Sequence, residues 1–223
     1  MLFDLEHIKL MLYLAPALLL SLTVHEFAHA RTALAFGDPT AKLMGRCSLN
    51  PLVHLDPMGT LVLLVTGMIG WAKPVPVNPA NLRPRRLGDI VVSLAGPLSN
   101  LSLAILSVLA IRLWTYLSVT TSLPRMPEIV STLSLYLIVA NIGLFTFNLI
   151  PLFPLDGHHV IREILPTTDQ IRYMTWQLRY GRFLLMALIF GPTLLSTLSR
   201  KPMFDPIGML YQWVIGTFLH LMF

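Results

Sequence analysis

Apolar and polar positions alternate unevenly along this chain, and the length of each apolar run decides what it can form. Residues 11–36 read as one long helix-compatible stretch, with Pro16 expected to kink it. Residues 90–111 and 129–150 each reach the roughly 20 residues that a bilayer span requires. Residues 183–199 and 206–223 are shorter, enough for thin or tilted spans. The run GTLVLLVTGMIGWA at 59–72 is too short to cross. It reads as a re-entrant hairpin or half-inserted strand pair, tolerable only where protein or a cavity covers its backbone. The pattern predicts an all-α polytopic membrane protein with about five to six transmembrane helices and a short insert after the first. It also predicts a single domain over 1–223, with a core over about 8–165 and additional spans over about 183–223.

Composition strengthens this picture. Apolar residues make up 55% of the 223 and charged residues 12%, half the roughly 25% of an ordinary soluble domain. Mean hydropathy is +0.69. The single cysteine, Cys47, excludes an intramolecular disulfide and cannot alone make a cysteine-rich metal site. The opening MLFDLEHIKLM is acidic where a signal peptide is basic, and no small-residue cleavage site ends the first apolar run, so no cleavable leader is expected; nothing ahead of the first long helix suggests an additional leading span. No repeat, low-complexity tract or soluble appendage is visible.

Net charge is +5, but the basic residues fall between apolar segments rather than on one solvated face. That distribution argues against nucleic acid and for cytoplasmic loops. Lys73, Arg83, Arg85 and Arg86 precede the 90–111 span; Arg162, Arg172, Arg179 and Arg182 follow the 129–150 span. With both groups in the cytoplasm, the 90–111 span runs outward and the 129–150 span returns. The first helix then runs inward, with residues 25–29 in its cytoplasmic half. Arg200 and Lys201 fall on the outer side in this arrangement, against the rule. The chain is expected in a prokaryotic inner or plasma membrane, crossing it several times.

One stretch of the first helix, LTVHEFAHARTALAFG at 22–37, conflicts with its surroundings. An ionisable side chain at bilayer depth costs about 2.5–3.5 kcal/mol on insertion scales, and His25, Glu26 and His29 lie close together there. On a helix, positions i and i+4 share one face about 6 Å apart, a separation at which two imidazoles converge on one ion. Glu26 lies one step round, close enough to reach a water on that ion without ligating it. Neutral imidazole suits Zn²⁺, whose catalytic sites keep three protein ligands and a place for water. Metal–ligand bonding would offset the cost of burial.

A third ligand has to come from elsewhere. In NLIPLFPLDGHHV at 148–160, Pro151 and Pro154 each remove a backbone donor, and Gly157 allows a tight turn, so the segment reads as unwound at membrane depth. Asp156 is its carboxylate; His158 and His159 are rivals for the ligand role. Asn148, eight residues before Asp156, is either an amide donor to an oxyanion or interhelical glue. His54 and Asp56 in NPLVHLDPMG read as a capped turn between two prolines, or as a second polar pocket. Gly96 and Asn100 in SLAGPLSN read as a close helix contact with an interhelical hydrogen bond.

Taken together, these blocks resemble the site-2 protease family of intramembrane zinc metalloproteases, in its compact prokaryotic form without PDZ or CBS domains. The resemblance covers most of the chain up to about residue 165. It rests on HEFAH, on GDPTAK…GRCSLNPLVHLDPMGT at 37–60, on KPVPVNP at 73–79, on SLAGPLSN, and on the N-x-x-P-x-x-P-x-D-G run at 148–157. It implies that His25, His29 and Asp156 ligate one Zn²⁺ per chain. It also implies that Glu26 is the general base and that Asn148 polarises the scissile carbonyl or holds its oxyanion. A three-helix core over 10–36, 90–116 and 131–150 would follow, with 40–80 as a sheet-like or hairpin insert.

The expected activity is hydrolysis of peptide bonds within or next to transmembrane segments of other proteins, with the lipid bilayer and a transmembrane protein substrate as partners. Selection of substrate would then fall to membrane-embedded parts, to a homo-oligomer or to a separate regulatory protein. The alternative is a metal- or proton-coupled transporter using the same buried residues, which paired inverted repeats would favour; none is visible. A catalytically silent scaffold would not need an intact HExxH with a third ligand.

Overall fold

The computed structural model describes residues 5–66, 70–199 and 204–222, and among these described residues nine α-helices make up most of the chain. Helix α1 (Leu5–Ala35) continues through Pro16. Short α2 (Thr40–Leu43) and α3 (Pro57–Thr66) follow, then α4 (Arg85–Thr120) and α5 (Glu128–Asn148). Helix α6 (Asp156–Ile164) is short; α7 (Thr167–Trp176) runs through a π-helical turn at Gln177–Gly181 into α8 (Arg182–Ser199). Helix α9 (Pro206–Met222) closes the chain. Prolines set several starts: Pro84, Pro127 and Pro166 sit immediately before α4, α5 and α7, where a missing N–H costs nothing.

The chain is an all-α polytopic membrane protein. Among the described residues four helical stretches are long and apolar enough to cross a bilayer: Ile8–Ala35, Arg85–Thr120, Glu128–Asn148 and Thr167–Ser199. The fourth starts well before the expected residue 183, because the π-helical turn joins α7 to α8 without a break. Helix α9, at 17 residues, spans about 26 Å, short of the roughly 30 Å hydrocarbon core. Arg200 and Lys201 lie outside the described residues.

Helices α1, α4 and α5 pack on one another pairwise, α6 packs on α4, and α9 on α5. One apolar core joins Ala104 and Val108 of α4 to Ile138 and Ile142 of α5 and Ile215 of α9. A second core seats Ala33 and Leu82 against Val92. A third packs Leu152 and Leu155 on Leu185 of α8.

The insert at 59–72 departs from a strand pair. Pro57–Thr66 is helical, and the return is an extended stretch carrying one antiparallel bridge, Leu55 to Ala72. Residues 67–69 of that insert lie outside the described residues. Asp56 is the physical reason for the helix: its carboxylate accepts the Gly59 N–H at 2.8 Å, a side-chain N-cap that satisfies an orphan donor of the first turn. Asp56 thus supplies the capped turn, and His54 Nε2 donates to Ser48 O at 2.8 Å.

Two loop charges also read differently once folded. Arg162 is largely buried, its guanidinium pairing with Asp89 of α4 and with Glu163. Arg86 donates to the carbonyls of Glu163 and Leu165. These contacts tie α6 to the start of α4.

Candidate metal centre

Helix α1 presents His25 and His29 one turn apart, both buried, with their Nε2 atoms 3.0 Å from each other. Asp156 comes to them from the break between α5 and α6. Its Oδ2 lies 3.2 Å from His25 Nε2 and 3.4 Å from His29 Nε2. One ligand atom from each of the three falls within 4.8 Å of the others, the one such cluster of His, Cys, Asp and Glu among the described residues.

The break delivers Asp156 as follows. Helix α5 stops at Asn148, and Pro151 and Pro154 prevent its continuation. Asp156 then opens α6 in its first turn. Gly157 has helical backbone rather than a positive φ; its role is close approach. A Cβ there would come 2.4 Å from the Leu149 carbonyl oxygen and 2.7 Å from that of Ile150.

The unwound residues find a partner in Gln177, in the π-helical turn and almost fully buried. Its Oε1 accepts the Phe153 N–H at 3.0 Å, and its Nε2 donates to the Pro151 carbonyl at 2.7 Å. A single amide replaces helix partners that the prolines removed.

A divalent cation fits these residues. His29 Nδ1 lies 2.7 Å from the Val92 carbonyl oxygen, which can only accept, so in the neutral ring that nitrogen carries the hydrogen and Nε2 is bare. His25 Nδ1 is likewise engaged, 2.7 Å from Asn100 Oδ1. Asp156 Oδ2 is buried with no hydrogen-bond partner. Lone pairs therefore crowd together with nothing between them, an arrangement that a cation relieves. Space is provided by Gly96 of α4, whose absent Cβ would stand 2.3 Å from His29 Nε2 and 2.6 Å from His25 Nε2.

Glu26 is buried beside the pair but outside the ligand cluster. Its Oε2 accepts the Val75 N–H at 2.8 Å, which brings the extended KPVPVNP segment across the site. That segment is held in turn by Asp38, which accepts from Asn78 N–H at 2.7 Å and Asn81 Nδ2 at 2.9 Å. Burial alone would raise the Asp38 pKa; hydrogen bonds from Thr40, Asn81 and Asn78 outweigh it and hold the carboxyl below its ordinary value.

Asn148 occupies the last turn of α5, with its amide donating to the Leu144 carbonyl of its own helix at 3.0 Å; it is not part of the ligand cluster. Neither are His158 and His159. His158 is fully buried, hydrogen-bonded through Nδ1 to Leu155 O at 2.7 Å, with its ring edge-on to Phe153.

Sequence reasoning missed Val75, Gln177 and the Asp89–Arg162 pair. Val75 acts through its main chain, which leaves no side-chain signature. Gln177 was visible only as a lone amide in the run MTWQLRYG.

A cavity of about 830 Å³ adjoins this region, walled by Leu22 and Thr23 of α1, His54, Trp71, Phe147 of α5 and Tyr211 of α9. Thr23 belongs to the turn of α1 that leads into His25, so the cavity runs up to the ligand-bearing helix.

Residues 13–191 match the model of peptidase family M50. Among curated proteins, YwhC of Bacillus subtilis (strain 168), which carries a zinc metalloprotease name, is 40% identical over 185 residues, 83% of each chain. Rip2 of Mycolicibacterium smegmatis, similarly named, is 29% identical over 195 residues, 85% of this chain and 71% of its own. Rip2 of Mycobacterium tuberculosis (strain H37Rv) is 30% identical over 181 residues, 79% of this chain and 66% of its own. No solved structure matches.

Proposed function

The chain belongs to peptidase family M50 and is a metalloprotease, and from that premise we propose that it cuts peptide bonds within or next to transmembrane segments of other membrane proteins. In this reading His25, His29 and Asp156 hold one zinc ion per chain, Glu26 is the general base, and the enzyme works in the cell membrane as a multi-pass protein. The observation that carries the proposal is the convergence of two bare Nε2 atoms and an unpartnered carboxylate oxygen inside an apolar helix bundle.

When bound, zinc supplies the Lewis acidity that makes water a nucleophile near neutral pH and polarises a carbonyl. Glu26 takes the proton from the attacking water and returns it to the leaving amine. The Val75 N–H fixes one oxygen of that carboxylate, leaving the other for proton transfer. Asn148 turns its amide from Leu144 O to the developing oxyanion. A substrate helix hides its carbonyls in hydrogen bonds, so the segment to be cut must unwind. The apolar cavity beside α1 receives it, and the extended stretch after Gly70 pairs with it by strand addition.

The test is cleavage of a model transmembrane substrate by the purified full chain, with Glu26→Gln as control and metal content measured on wild type and Asp156→Ala. Cleavage is expected from wild type alone, with zinc lost from the Asp156 variant. Undiminished cleavage by Glu26→Gln removes the proposed base, and zinc retained in full by Asp156→Ala removes the proposed ligand.

A further inference from the structure

Behind His25 lies a chain of polar side chains that catalysis as described above does not use. Asn100 of α4, Asn141 of α5 and Ser21 of α1 are each fully buried, at the meeting of the three packed helices. Buried amides in an apolar bundle need every donor and acceptor satisfied, and here each is.

The direction of every hydrogen bond in this chain is fixed by main-chain carbonyls, which can only accept. Ser21 Oγ donates to the Ala17 carbonyl at 2.7 Å. Asn141 Nδ2 spends its two hydrogens on the Leu137 carbonyl and Ser21 Oγ, both at 2.8 Å. Its Oδ1 is therefore the atom that faces Asn100. Asn100 Nδ2 in turn donates to Asn141 Oδ1 at 2.8 Å and to the Ser21 carbonyl at 3.1 Å. That leaves Asn100 Oδ1 as an acceptor, 2.7 Å from His25 Nδ1. The hydrogen between them must come from the imidazole. In the neutral ring Nε2 is then bare, and it is the atom facing His29 and Asp156.

We infer that Asn100 is a positioning residue for the metal centre: backed by Asn141 and Ser21, it fixes the tautomer and ring angle of His25, making Nε2 a ready ligand. Val92 O performs the same task for His29, but as main chain it cannot be replaced by substitution. Asn100 is the side chain on which the geometry can be tested. The inference rests on the metal reading above and adds to it the source of His25's competence as a ligand.

The experiment measures Zn²⁺ affinity of the metal-free full chain by competition with a chelating dye, in detergent or nanodiscs, beside the thermal unfolding of each metal-free protein. Asn100→Leu and Asn100→Asp both lose the two amide donations to Ser21 and Asn141. Only the aspartate keeps an acceptor for His25 Nδ1. Asn100→Leu is expected to bind zinc about 10–100-fold more weakly than wild type, the usual effect of losing such a partner, whereas Asn100→Asp stays within about threefold. A purely structural role predicts that the two bind alike, and equal affinities would overturn the inference. If either Asn100 variant fails to fold, Asn141→Leu decides, because it removes the shorter of the two bonds that orient the Asn100 amide and leaves only the Ser21 carbonyl: zinc weakened at least threefold supports the inference, and unchanged affinity overturns it. Wild-type protein that takes up no zinc defeats the metal reading itself, an outcome distinct from variants that all bind equally.

Discussion

Gly96 on α4 lies directly against His29 on α1, close enough that a single added carbon would stand 2.3 Å from the imidazole Nε2. Real carbon–nitrogen contacts do not reach that distance, and His25 blocks retreat on the other side at 2.6 Å. Gly96→Ala is therefore expected to displace both rings and remove at least nine-tenths of the bound zinc, about 1.4 kcal/mol per tenfold. Metal content per folded protein checks this. Full occupancy in the alanine variant would mean that α4 stands further from the site.

Val75 offers a substitution aimed at one hydrogen. It sits between Pro74 and Pro76 in an extended stretch, where a further proline fits the backbone and deletes the N–H while exchanging one apolar side chain for another. That N–H donates to Glu26, and hydrogen bonds to charged groups contribute about 1.5–3 kcal/mol. Val75→Pro should lower cleavage about tenfold or more while leaving zinc content unchanged. A parallel loss of zinc would place the segment's role at the ligands rather than at the base.

Arg162 is expected to matter for stability and, through α6, for the metal. Its guanidinium faces Asp89 and Glu163, both nearly inaccessible to solvent. Arg162→Met leaves two buried carboxylates facing each other, a change that costs about 3–5 kcal/mol where one partner of a buried pair is removed. The unfolding midpoint should fall markedly and zinc retention with it, since Asp156 begins the same helix. A midpoint equal to wild type would show that the pair contributes nothing net.

Asp38 gives a prediction in pH. Its carboxyl is held below the ordinary value in the folded state, so the stability it contributes is fully present above its unfolded pKa of about 3.9. That contribution is lost as pH falls through the lower folded value. The difference in unfolding midpoint between wild type and Asp38→Asn should stay constant from neutral pH down to about 4.5 and shrink below about 4. A difference that grows on acidification would contradict the hydrogen bonds from Thr40, Asn78 and Asn81.

Much of this arrangement was legible in the sequence because membranes enforce their own grammar. Long apolar runs revealed all four span-length helices, the fourth with too late a start, and the cost of His25, Glu26 and His29 in lipid pointed to the candidate site. The prolines at 151 and 154 marked the break that delivers Asp156. Boundaries were less legible. The fourth span starts at Thr167 because a π-helical turn carries Gln177, Arg179 and Tyr180 within a continuous helix, and hydropathy registers such residues as a loop. The 59–72 insert turned helical through a cap from Asp56, a side-chain effect that an apolar run conceals. Main-chain donors and acceptors, the Val75 N–H and the Val92 carbonyl, carry no residue-type signal at all.

Asn100 was readable only as a bonding residue between helices. What it bonds to depends on α1, α4 and α5 meeting at one level, which three separate stretches of sequence do not reveal. The same is true of Arg162: the pattern placed it among loop charges, and only the docking of α6 on α4 turns it inward.

The imidazoles lie near the start of the chain and the carboxylate far along it, past the break after α5. A ribosome therefore releases His25 and His29 into the bilayer well before Asp156 has been made, and a polypeptide halted anywhere short of α6 holds a donor pair with no acid to complete it. On the proposed ligand set, order of synthesis alone keeps an unfinished copy of this enzyme from being armed.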